Sequence, residues 1–298
     1  MKILKGILSV IVIVLLLSSL AFAQGNTDNS LDVFNGIVTK ISKDEIKDFP
    51  ELMKEIQGAN KERVKTMIDA NVNVNIKTSS GLSPLALAII KGDSDIINML
   101  IEKGANLNAK IANNLTPLMV SAINNNYEAA ELILKNNGEV NAKTIDRYDA
   151  LILAVSKDNT EIVKLLLNYN ADVKAEKSMA LMKAIENSNF DIIKLLVEKG
   201  ADINSKVSDD GATPLMVAVS KCDNLEIIKY LIEKGANVNA KNVLGDTPLM
   251  FSISTGKADL VKLLLSKEAK KDIKNNYGQS PLSKAKQDKY DDIVKILE

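Results

Sequence analysis

The chain has 298 residues, enough for a sizeable core. Its 38 Lys and Arg balance 38 Asp and Glu, which argues against general nucleic-acid binding, where positive charge must exceed that of the phosphates. Histidine is absent and Cys222 is the single cysteine, which removes Ser-His-Asp and Cys-His catalysis, His-ligated metals and any internal disulfide.

Lys2 and Lys5 open the chain, and an apolar run follows from Gly6 to Leu17. Ser18 and Ser19 soften its end, and Ala21 and Ala23 supply small residues at the −3 and −1 positions of a cleavage site. Residues 1–23 therefore read as a secretory signal peptide, with Gln24 as the new N-terminus. No Cys follows the run, so lipid anchoring is not expected. The alternative is an uncleaved anchor, for which the run is short against the ~20 apolar residues of a spanning helix. Cleavage leaves 36 basic against 38 acidic residues, a net charge of −2. A secreted or periplasmic location is expected. Residues 24–41 read as a linker, and Ser42-Lys43-Asp44-Glu45 as a capping box that starts the first folded element.

The remainder, 42–298, is one repeat. Leucines recur at 52, 85, 118, 151, 181, 215, 249 and 282, at spacings of 30 to 34 residues. An Asn or a substitute recurs at 75, 108, 141, 174, 204, 239 and 272. A fixed period of this size marks a solenoid. Most units open on a cap residue and a proline: Ser83-Pro84, Thr116-Pro117, Thr213-Pro214, Thr247-Pro248 and Ser280-Pro281. The hydroxyl can accept from a free first-turn N–H, and proline has none to leave unpaired. A short apolar helix follows, then a turn. A second helix places apolar residues at i, i+1, i+4 and i+5, as in Ile96, Ile97, Leu100, Ile101 and Ile162, Val163, Leu166, Leu167. It stops at Gly104, Asn137, Asn170, Gly200 or Gly235, residues that tolerate a left-handed cap.

Thr-Pro-Leu, Ile-Val-x-Leu-Leu and Gly-Ala-Asn-x-Asn-Ala in this register resemble ankyrin repeats. Asp246-Thr247-Pro248-Leu249, after Gly235-Ala236-Asn237-Val238-Asn239-Ala240, is the best single unit. The resemblance implies an all-α solenoid of about eight helix–turn–helix units, the first and last degenerate, with β-hairpin fingers on one side. It also implies protein binding through a concave face of fingers and first helices, with no cofactor. Three departures stand out. The family's Thr-Pro-Leu-His has Ala86, Met119, Met216 or Met250 in place of His, which suggests looser hairpins. One finger is short, so a notch is expected at 174–180. An extra residue enters both the finger near Asp209 and the turn near Cys222.

In that register Leu82, Ile90, Leu115, Ile123 and Tyr148 are expected to form one exposed apolar patch, the kind of surface that marks interaction sites. Lys110 and Lys143 belong to a ladder that also holds Lys77, Lys206, Lys241 and Lys274, able to steer an acidic partner. Asp146, Leu244 and Asp246 lie on fingertips. Together these are the candidate partner-binding residues. Asp209-Asp210 falls short of the ~6–8 oxygens of a calcium cage, and no metal site is expected.

The expected function is an extracytoplasmic scaffold that binds a protein and does no catalysis. The other readings are a secreted effector acting on another cell's proteins and, remotely, a hydrolase using carboxylates such as Asp209, Asp210 and Asp246. A monomer is expected, and the odd Cys222 could link two chains.

Overall fold

The computed structural model describes residues 50–206, 209–222 and 224–298. The expected signal peptide, the linker, the Ser42–Glu45 box and Ser208 lie outside them. The described residues contain sixteen α-helices in successive pairs and no strand. They group into two compact units that divide after Leu153.

The first unit holds α1 (Glu51–Gln57), α2 (Lys61–Asp69), α3 (Pro84–Lys91), α4 (Ser94–Glu102), α5 (Pro117–Ile123), α6 (Tyr127–Lys135) and the start of α7 (Ala150–Ser156). Two rows form. The first helices α1, α3 and α5 pack side by side, and so do the second helices α2, α4 and α6, each also touching its own pair-mate. The second unit repeats this with α8 (Thr160–Asn168), α9 (Ala175–Glu186), α10 (Phe190–Glu198), α11 (Pro214–Lys221), α12 (Leu225–Glu233), α13 (Pro248–Ser254), α14 (Ala258–Ser266), α15 (Pro281–Gln287) and α16 (Asp291–Leu297). There α9, α11, α13 and α15 form one continuous row.

The helices start where the caps predict. Thr116, Thr213 and Thr247 accept from Met119, Met216 and Met250 N–H, with proline at the first helical position. Where proline is missing, buried Asp149 caps α7 by accepting from Ile152 N–H at 2.8 Å. The methionines in the family's histidine position are buried, and Met216 sulfur accepts from Thr213 N–H at 3.5 Å. Second helices end on left-handed residues at Gly104, Asn137, Asn170, Gly200, Gly235 and Glu268. Their apolar stripe is fully buried, as at Ile96, Ile97, Leu100 and Ile227, Ile228, Leu231.

The recurring asparagine staples one repeat to the next. Asn75 Nδ2 donates to Gly104 O at 3.0 Å, while its Oδ1 accepts from Asn106 N at 2.7 Å. Asn204 makes the same pair to Gly235 O and Asn237 N, and Asn239 to Glu268 O and Lys270 N. A primary amide has both a donor and an acceptor end, so one side chain satisfies a carbonyl just past the helix cap and a loop N–H together.

Candidate protein-binding surface

The segment between one unit's second helix and the next unit's first helix folds into a finger. Each finger follows one of the ladder lysines. In the first unit the fingers are 78–82, 111–115 and 144–148; in the second the regular ones are 242–246 and 275–279. One backbone bond closes each: Thr78 N to Leu82 O, Ile111 N to Leu115 O, Thr144 N to Tyr148 O, Asn242 N to Asp246 O and Asn275 N to Gln279 O. The residue before the closing position is left-handed throughout: Gly81, Asn114, Arg147, Gly245 and Gly278. Successive fingers are joined by their backbones. Ile145 N donates to Asn113 O, Val243 N to Asp210 O and Asn276 N to Leu244 O. These are hairpin turns rather than the paired strands implied by the family resemblance.

This geometry corrects the expected apolar patch. Leu82, Leu115 and Tyr148 occupy the closing position, and all three are buried, as is Ile123 at the end of α5. The closing bond folds that position back onto the start of the following helix, so these side chains belong to the core. Ile90 is half-buried and lines an open cleft with Lys91, Asn124 and Tyr127.

The exposed apolar side chains sit elsewhere, on the two tip residues just before the left-handed one. Ile145 is 62% exposed, Val243 61%, Leu244 43% and Tyr277 70%. They are four of the six large apolar side chains exposed among the described residues. Leu244 stands on a tip, as the sequence predicts. Ile145 was not among the expected residues, although its place two residues before left-handed Arg147 marks it as a tip.

The charged candidates divide in two. Lys110 and Lys143 are exposed, as expected. Asp146 and Asp246 are half-buried and bind neighbouring fingers: Asp146 accepts from Asn113 Nδ2 and Asp246 from Asn275 Nδ2, both at 2.8 Å. The lysine ladder has a structural part in the second unit. Lys206 Nζ donates to Lys241 O at 2.8 Å, and Lys241 Nζ to Lys274 O at 3.2 Å.

The notch region carries no finger. α9 begins at Ala175 through an irregular turn, in which Glu176 and Ser178 are left-handed, and buried Ser178 accepts from Asp202 N at 2.9 Å. Further along α9, buried Lys183 pairs with Glu186 at 2.9 Å, and Glu186 also meets Lys221 of α11 at 3.2 Å. Burial pushes the Glu186 carboxyl up, but hydrogen bonds and charge from Lys183 and Lys221 outweigh it and hold it below the ordinary carboxylate range.

Cys222 is buried and donates its thiol to Ile185 O at 3.0 Å. It is therefore not presented to a second chain, against the expectation that it could link two. Among the described residues no three Cys, Asp or Glu side chains converge to hold a metal ion, and no helix is long and apolar enough to cross a membrane.

The family model for ankyrin repeats in three copies matches residues 52–144, 151–242 and 215–298. No curated protein matches the chain in sequence. Among solved structures of the same fold is the human ASB11 ankyrin repeat domain, at a TM-score of 0.64 and 24% identity, covering 73% of this chain and 98% of that one. The repeat register, the paired helix rows, the asparagine staples and the matched family model together place this chain in the ankyrin-repeat family.

Proposed function

We propose that the protein is an exported, monomeric binding module that grips a partner protein with its fingers and performs no catalysis. Ankyrin repeats are generally protein–protein interaction modules, and the fold is typically non-catalytic. The observation that carries the reading is the placement of exposed apolar groups. A folded surface seldom gathers its large apolar side chains in one structural position without a partner to cover them. Here four of six stand on fingertips. Export rests on residues 1–23: a basic start, an apolar run and small residues before Gln24.

The test places a photo-crosslinking amino acid at Leu244 in the native cell, with a control at exposed Lys164 on α8. A discrete protein adduct at Leu244 and none at Lys164 is expected, on a mature chain whose intact mass begins at Gln24. Equal labelling at both positions, or none at Leu244, overturns finger binding. A mature chain that retains residues 1–23 overturns cleavage.

A further inference from the structure

We infer that the finger row of the second unit takes an acidic protein segment that carries bulky apolar residues. The inference rests on the finger-binding reading above and adds the chemistry of the partner. Two neighbouring fingers offer Val243 and Leu244 on one tip and Tyr277 on the other. At the base of the same row stand Lys206, Lys241 and Lys274, all exposed. Lys206 and Lys241 each rest the ammonium on the carbonyl of the next ladder lysine, so their charges are held in line. None of the three is ion-paired among the described residues, and a bond to a carbonyl leaves the charge uncompensated. Val243 and Lys206 flank the same residue, Gly211. A Cβ built on Gly211 would lie 3.1 Å from Val243 Cγ2 and 3.7 Å from Lys206 Cδ.

Aligned positive charge beside exposed Val, Leu and Tyr complements carboxylates interleaved with apolar side chains. Nucleic acid fits the same row poorly. Asp209 and Asp210 stand exposed on the adjoining tip, where they repel phosphate, and the tips hold one aromatic ring rather than a stacking series. For a peptide the same acidic pair sets direction, because it keeps the carboxylates toward Lys241 and Lys274.

The test selects random dodecapeptides on the immobilised full chain, then measures the most enriched one by fluorescence anisotropy. Enrichment of Asp and Glu together with Leu, Phe, Tyr or Trp is expected. Affinity should fall about two- to fivefold for each of K241Q and K274Q, less for K206Q beside the acidic pair, and about tenfold or more for V243S/L244S/Y277S. It should weaken steadily from about 0.05 to 0.5 M NaCl. K77Q and K110Q should change nothing. All the substituted side chains are exposed, and matching thermal melts confirm that the variants fold.

Basic, uncharged or no enriched peptides overturn the inference, as does an affinity that K206Q/K241Q/K274Q together leave intact. Tighter binding of a single-stranded oligonucleotide than of the selected peptide also overturns it. A Leu244 adduct whose labelled segment is neutral or basic removes this inference alone. The absence of any adduct at Leu244 removes the finger-binding reading beneath it.

Discussion

The two units use the same finger backbone for different surfaces. Fingers of both close with one backbone bond, turn through a left-handed residue and follow a lysine. In the first unit the tips are Ser79-Ser80, Ala112-Asn113 and Ile145-Asp146, and an Asn113–Asp146 side-chain bond ties two of them together. In the second unit the tips carry exposed Val243, Leu244 and Tyr277; Asn276 Nδ2 still ties its tip to Val243 O, and Lys206 and Lys241 add bonds at the finger bases. The register is thus set by backbone and asparagine, which leaves tip identity open to specify what is bound. That is the general pattern of function grafted onto a repeat scaffold.

The largest effects should come from the buried stripe that both units share. Leu100→Ala on α4 and Leu231→Ala on α12 remove fully buried side chains at the same register position. Each should cost about 2–5 kcal/mol. Because repeats couple to their neighbours, hydrogen exchange should show the loss of protection centred on the mutated unit. Equal deprotection of both units by either change would erase the distinction between them.

A smaller effect sharpens it. The Lys183–Glu186–Lys221 cluster belongs to the second unit. The folded pKa of Glu186 lies below its ordinary value of 4.5, so its contribution is present above that pH and is lost as pH falls through the folded value. Thermal melts should show the second unit weakening below about pH 4.5 in the wild type. Glu186→Gln should flatten that loss, and should lower stability at pH 7 by about 1–2 kcal/mol. An acid profile identical in wild type and variant would remove the cluster from the account.

The smallest concerns a helix end. Glu268 sits in the left-handed region with a Cβ that disfavours it, so Glu268→Gly should add about 0.5–1 kcal/mol. Asn137→Gly, at the equivalent place in the first unit, should add less, because Asn already tolerates that conformation. Calorimetry of the two variants separates them.

Much of this architecture was legible in the residues. Leu85 through Leu282 set the period, Ser/Thr-Pro marked the helix starts, and the 30-residue spacing from Leu151 to Leu181 pointed to the absent finger. The surface was harder to read, because exposure within a finger turns on a shift of two residues. Leu115 and Leu244 both look like loop leucines, yet one is fully buried at the closing position and the other half out on a tip. Their distance from the helix cap separates them, since Leu115 directly precedes Thr116 and Leu244 lies three residues before Thr247; residue type alone does not. The Lys183–Glu186 pair was equally hidden, since Lys183 stands at a register position where the other inner units carry Leu87, Val120, Leu153, Val217 or Phe251.

The asparagine staple also governs how this chain tolerates changes of length. Asn75 and Asn239 reach carbonyls 29 residues ahead, whereas Asn204 reaches one 31 ahead, across the extra residues near Asp209 and Cys222. The two anchor points stay matched because the additions lie in loops between them. Gain or loss of one whole period hands each staple an equivalent acceptor, and a loop insertion leaves both ends in place. A deletion within a helix does neither. The repeat number and the loops are therefore the dimensions along which this chain can lengthen or shorten and still fold.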